Sequence, residues 1–368
     1  MFRLFFSVLL ALSVLPSIAD AQDTFDVYIV AGQSNADGRG QVSDLSAAEL
    51  ASVQNDAIIS YLNPGGQREQ DTPGSDIDVG SNGFQALVPG GFSVASTNSR
   101  ALSNTFGPEL GFGASIAEAT GTNNRIAIIK VSRGGTNLRN NWRADTTVDS
   151  SVDEPAGYLY RALLEQVTDS LAELEADGST ANIEGFVWHQ GESDSNQVGG
   201  YADRFAAFVD GVRGEFGDDI PFVLGELSRT RENSVNFNNN LPNVVNQRAG
   251  LSFISSDGLT TPDDDTTHFD AAGQLELGRR YAAAFAAVPE PFRWNSGFGA
   301  GVGNGCSSKP KPKPLMALAV ECHTWRSLRS PFFMLILEAN EDYFASFISR
   351  SQVIEVRSVS FQSYEREV

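Results

Sequence analysis

The residues able to do chemistry in this chain fall in a few short polar clusters. Ser34 stands in Gly32-Gln33-Ser34-Asn35, directly after the apolar run of residues 25–31. A serine hydroxyl delivered where a buried strand meets the loop before a helix is a recurrent way to present a nucleophile at the carboxyl edge of a sheet. The same tetrapeptide is also good turn chemistry, because Gly, Ser and Asn favour strand exits and helix caps for purely local reasons. The serine therefore needs partners. His268 and His189 are the only histidines in the body of the chain, so a general base has few candidates. In Asp265-Thr266-Thr267-His268, one turn of chain can carry the Asp265 carboxylate to the imidazole Nδ1–H. There it would fix the tautomer and stabilise the imidazolium while Nε2 takes a proton from Ser34. The plainer alternative is an acidic loop, Asp263 to Asp265, with His268 a surface residue beside Asp270.

Two more clusters follow apolar runs. Residues 125–131, RIAIIKV, empty into Ser132-Arg133-Gly134-Gly135-Thr136, where consecutive glycines let backbone N–H groups point into a cavity unobstructed by side chains. Residues 183–188 end in Trp188, followed by His189-Gln190-Gly191-Glu192-Ser193-Asp194.

The elements that must position these clusters are legible as alternation. Strands are expected at 25–31, 125–131, 183–188, 222–225 and 251–255. Helices are expected at about 107–119, 158–176, 201–216 and 270–288, from their apolar stripes and their Pro and Gly boundaries. Residues 36–100, rich in Gly, Ser, Asn and Asp, read as a long decorated loop region with one short helix at 45–53. Within it, Asp76-Ile77-Asp78 with Ser81-Asn82 lacks calcium-loop spacing and reads as a solvated turn. Strands alternating with helices argue for an α/β fold, a parallel sheet covered on both faces, with ligands at the carboxyl ends of its strands.

The chain has 368 residues, enough for one large core, and a formal net charge of -20 from 26 basic and 46 acidic residues. That acidity, concentrated between residues 20 and 289, disfavours nucleic acid and anionic membranes as partners. The body contains no cysteine, which excludes thiol catalysis and a zinc–thiolate site there; Cys306 and Cys322 can form one bridge or stay free. Residues 1–21 combine Arg3, an apolar run at 4–15 and a small-x-small ending at Ala19-Asp20-Ala21. This is the layout of a secretory signal peptide cut before Gln22, its apolar run too short for a membrane span. The main domain is expected over 22–289, followed over 290–368 by a Gly-rich and KPKPKP linker and a poorly ordered extension.

Together AGQSN, SRGGT, WHQGESD and the Asp-x-x-His before the last helix resemble the SGNH hydrolase superfamily. More narrowly they resemble its sialate O-acetylesterase-like branch, which includes carbohydrate esterase family 6 and acetylxylan esterase-like enzymes. The resemblance covers residues 25–287. It implies a flavodoxin-like three-layer α/β/α sandwich with a central parallel sheet, and a secreted serine esterase that removes acetyl groups from carbohydrate with no metal or other cofactor. Carried over, Ser34 becomes the nucleophile and His268 the base. The oxyanion hole would comprise the Ser34 N–H, an N–H of Gly134 or Gly135, and the Gln190 side-chain amide. Either Asp265 or Glu192 would orient His268, with Asp265 favoured on spacing and Asp264 able to compete. Gln33, Asn35, Trp188 and His189 are candidates for substrate contact, an aromatic face at Trp188 suiting sugar C–H groups. The pattern Gly32-x-Ser34-x-Ala36 lacks the second glycine of the α/β-hydrolase elbow, which disfavours that fold. A catalytically silent carbohydrate-binding or cell-envelope protein and a general GDSL-type lipid esterase are the alternatives.

Overall fold

A computed structural model describes residues 22–65, 78–94, 96, 101–144, 157–176 and 178–287, together with three strands between 333 and 358. The expected signal peptide, Cys306 and Cys322 lie outside the described residues.

The core of the fold is a parallel sheet of β1 (Thr24–Gly32), β2 (Ile58–Asn63), β3 (Arg125–Ser132), β4 (Thr180–His189), β5 (Phe222–Gly225) and β6 (Leu251–Ile254). The spatial order is β6-β5-β4-β1-β3-β2, and each neighbouring pair is parallel. Two short strands, Val79–Gly80 and Gln85–Ala86, pair antiparallel with β2 and make the sheet mixed at that edge.

Both faces are covered. Along β1, Val27, Ile29 and Ala31 enter one core while Tyr28 and Val30 enter the other; along β3, Ala127, Ile129 and Val131 alternate with Ile126 and Ile128 in the same way. A strand whose successive side chains are all apolar must be buried on both sides, which is why these runs read as continuous rather than alternating. The first core is closed by α5 (Tyr158–Glu175), α6 (Tyr201–Phe216) and α7 (Ser234–Val245) through Leu163, Val167, Phe205, Phe208, Phe237 and Leu241. The second is closed by α3 (Pro108–Gly113), α4 (Ile116–Thr120) and α8 (Ala271–Ala286) through Phe112, Ile116, Leu275, Tyr281 and Phe285. Two short helices, α1 (Ser34–Asp37) and α2 (Ala47–Ser52), follow β1. The result is a three-layer α/β/α sandwich. No helix among the described residues is long and apolar enough to cross a membrane.

Three elements differ from the sequence expectation. The loop region at 36–100 contains β2, whose run of Ile58 to Asn63 is a full member of the sheet. Ser234–Val245 is a helix despite its asparagines and an internal Pro242, because Phe237, Leu241 and Val244 bury one face. The helix expected near 107–119 is two, α3 and α4, broken after Gly113.

A second unit comprises residues 298–368. Its described part is an antiparallel meander of Phe333–Ala339, Asp342–Ser349 and Gln352–Ser358. The rest of the expected linker and extension lies outside the described residues.

Candidate active site

Ser34 is the first residue of α1, at the carboxyl end of the central strand β1. The turn that presents it requires glycine at position 32: φ is +144°, and a Cβ there would lie 2.0 Å from the His189 carbonyl oxygen. That carbonyl accepts the Gln33 N–H at 2.9 Å, and Arg133 N–H donates to Gly32 O at 3.0 Å. Backbone bonds thus tie together the three loops that leave β1, β3 and β4.

His268 arrives from the other end of the domain, two residues before Asp270. The Asp270 side chain caps α8 by accepting from Gly273 N–H at 2.8 Å. His268 Nδ1 lies 2.6 Å from Asp265 Oδ2, and His268 Nε2 lies 2.9 Å from Ser34 Oγ. The Asp265 Oδ1 atom accepts the Thr267 and His268 N–H groups at 2.8 and 3.1 Å, so the carboxylate is locked to the backbone of its own loop. Burial pushes the Asp265 carboxyl upward, but the bonds from His268 and Thr267 outweigh it and hold the pKa below the ordinary value. An ionised Asp265 accepts from Nδ1–H and leaves Nε2 as the acceptor for the Ser34 hydroxyl.

Glu192 is elsewhere. Its Oε1 accepts from Asn35 Nδ2 at 2.7 Å, and burial drives its carboxyl pKa up. Of the two acids open in the sequence, Asp265 is the one bonded to His268.

These groups face a cavity of about 570 Å³ lined by Gln33, Ser34, Arg39, Ser96, Gly135, Glu192, Ser193, Arg231, Asp265, Thr267 and His268. Gly135, with φ +68°, lines the cavity, whereas Gly134 is not among the lining residues. The N–H groups of Ser34 and Gly135 have no intramolecular acceptor among the described residues.

Several sequence assignments do not hold. The Gln190 amide, expected in the oxyanion hole, donates instead to Gln33 Oε1, Thr136 O and Asp194 Oδ2 at 3.1, 3.1 and 2.8 Å, and its Oε1 accepts from Tyr201. It does not line the cavity because all its capacity is used in bracing the loops. Gln33 does line it: Oε1 is held by Gln190, Gly191 N–H and Ser193 N–H, and Nε2 has no protein acceptor among the described residues. Trp188, expected as a sugar-facing ring, packs edge-on against Trp142 at 5.2 Å in the core and bonds Tyr201 through Nε1. His189 is buried against Tyr281 at 2.8 Å, and Asn35 is fully buried, so none of the three lines the cavity.

Two arginines that the sequence reading passed over enter the cavity. Arg39 is fixed through one guanidinium nitrogen to Asp37, Gly38 O and Val94 O, each at 2.7 Å. Arg231 is held by Ser195 Oγ at 2.7 Å and Glu192 O at 2.9 Å, both neutral acceptors, and forms no ion pair of 4 Å or less among the described residues. The only available signal was chemical: arginines close in sequence to the polar clusters of a strongly acidic chain.

A parallel sheet with serine, glycine and histidine loops gathered at its carboxyl edge defines the SGNH-like carbohydrate esterases. The chain belongs to the family described as carbohydrate esterase, sialic acid-specific acetylesterase, whose sequence profile matches residues 24–287. It is an esterase, of the carbohydrate O-acetylesterase kind. Among solved structures, a protein from Arabidopsis thaliana is similar in fold, with a TM-score of 0.52 and 14% identity over 71% of this chain and 98% of its own. More distant is NanS, at 0.46 and 16% identity over 73% of this chain and 98% of its own. A Corynascus thermopiles (Myceliophthora fergusii) carbohydrate esterase family 2 enzyme with a carbohydrate binding domain scores 0.39 at 16% identity, covering 73% and 68%. A comparison with curated protein sequences finds no match.

Proposed function

We propose that the protein is an exported serine esterase that removes O-acetyl groups from sugars through an acyl-enzyme, with Ser34, His268 and Asp265 as its triad. The observation that carries this reading is the unbroken chain from Asp265 Oδ2 through His268 to Ser34 Oγ, at 2.6 and 2.9 Å, opening on a cavity. Ser34 Oγ attacks the acetyl carbonyl as His268 Nε2 takes its proton. The Ser34 and Gly135 N–H groups, joined by Gln33 Nε2, donate to the oxyanion. Collapse of the intermediate expels the sugar hydroxyl, which leaves with the proton from His268, and acetyl-Ser34 remains. Water then attacks with His268 again as base, and acetate leaves.

Arg231 favours an acetylated sugar that carries a carboxylate, such as a sialic acid, over neutral acetylated xylan. A guanidinium with open N–H groups in a partly desolvated cavity is a carboxylate receptor. Residues 1–21 are the export signal in this reading, and the protein recovered after export begins at Gln22.

Ser34→Ala should abolish hydrolysis of an aryl acetate while leaving thermal unfolding intact, and the wild type should keep its activity in a metal chelator. A folded Ser34→Ala variant that still turns over would overturn the assignment. Short-chain hydrolysis should exceed long-chain hydrolysis, the reverse marking a lipid esterase.

A further inference from the structure

Ser34 and His268 are 234 positions apart, so tertiary contacts must register one against the other. The residue beside the nucleophile supplies them. The Asn35 side chain straddles His268: its Nδ2 donates to Thr267 O at 3.0 Å on one side, and Phe269 N–H donates to its Oδ1 at 3.1 Å on the other. The second Nδ2 hydrogen goes to Glu192 Oε1 at 2.7 Å, and Gln274 Nε2, from α8, reaches Oδ1 at 3.5 Å. Every donor and acceptor of this fully buried amide is taken by protein, and none is left for a substrate.

Glu192 completes the arrangement. Its Oε1 receives the Asn35 hydrogen bond, while its Oε2 is buried with no partner among the described residues. Nearby, His189 Nε2 is likewise buried and unpartnered, 3.9 Å from Oε1. The carboxyl sets which way the Asn35 amide faces: an acceptor at this position fixes Nδ2 toward Glu192 and Thr267 O, and Oδ1 toward Phe269.

We infer that Asn35 is a positioning residue that holds the base loop in register with the nucleophile, and that Glu192 serves the site as the buried anchor of Asn35 rather than as the acid that orients His268. This rests on the reading of Ser34 and His268 as nucleophile and base. The physical consequence is a reaction geometry set by the neighbour of the nucleophile. A displacement of about 1 Å between the reacting groups is enough to lower turnover by roughly 100-fold.

The test compares wild type, Asn35→Ala, Glu192→Ala, Glu192→Gln and Ser34→Ala on 4-nitrophenyl acetate, with active sites counted by a fluorophosphonate. Asn35→Ala should lower kcat per active site by about 10- to 100-fold with KM within about twofold, and fluorophosphonate labelling of Ser34 should slow in parallel. A raised KM with unchanged kcat would make Asn35 a substrate contact and overturn the inference. So would a kcat per active site equal to wild type, which marks a merely structural role. Should Asn35→Ala not fold, the Glu192 pair decides. Glu192→Ala should lose about tenfold in kcat, and Glu192→Gln, which keeps an acceptor oxygen for Asn35, should restore most of it. Equal losses in the two would mean that the charge of Glu192 is what matters, against the inference. Activity retained by folded Ser34→Ala would instead overturn the underlying assignment of the nucleophile.

Discussion

Lys130 Nζ meets Glu109 Oε2 at 2.8 Å with both side chains buried directly behind the helix that carries Ser34. The same ammonium donates to Asp37 O and Phe92 O at 2.7 and 2.8 Å, so it braces the end of α1 from below. Burial drives the Glu109 pKa up even though Lys130 opposes the rise. Lys130→Met would leave Glu109 Oε2 and two carbonyls without the ammonium, and should lower stability by about 3–5 kcal/mol. Adding Glu109→Leu should cost less than the sum of the two single changes. Urea midpoints with matching m-values measure both; a Lys130→Met protein as stable as wild type would refute the bracing role.

Asp265→Asn should cut kcat by about 100- to 10,000-fold while the fold survives. An asparagine at this position can donate to Nδ1, which reverses the tautomer and leaves Nε2 protonated and unable to act as base. Turnover of an aryl acetate across pH, alongside the unfolding temperature, separates this from a folding defect.

Stability should fall on the acid side because of His189. Burial holds its imidazole pKa down from 6.5 to about 3. As pH falls from 6.5 toward 3, the unfolded chain gains a proton there that the native chain does not, and stability declines by up to about 1.4 kcal/mol per pH unit. His189→Gln should flatten that slope in urea titrations run between pH 3 and 8. Glu192 has the opposite sign: its folded pKa is raised by burial, so its contribution is present below its ordinary 4.5 and lost as pH rises through the folded value. Glu192→Gln should therefore gain stability over wild type as pH increases.

Arg231→Met should reduce kcat/KM for an O-acetylated sialic acid by about 10-fold or more, and for neutral acetylated xylan by much less. An equal loss on both would assign Arg231 to the structure of the Glu192 loop that it also holds.

Much of this arrangement was legible in the sequence because catalysis needs particular side chains at strand ends. Spacing brought Asp265 close to His268 while leaving Glu192 open as the alternative, and the apolar runs of β1 and β3 announced a sheet buried on both faces. Asn35 and Gln190 were misread for one reason. An amide that can face a ligand and one that braces a loop look alike until its partners are seen. Trp188 and His189 sit at the end of β4, where alternation sends successive side chains to opposite cores, and only the register of β4 on β1 reveals that neither faces the cavity. The strand β2 was hidden by its surroundings, since a six-residue run between Gly- and Asn-rich segments carries little periodicity. The helix α7 is made by burial of Phe237 and Leu241 against low intrinsic propensity.

The 234-residue separation between Ser34 and His268 also has a temporal meaning. During synthesis Ser34 emerges early and His268 only 234 residues later, so the pair cannot form until most of the 22–287 domain has been made.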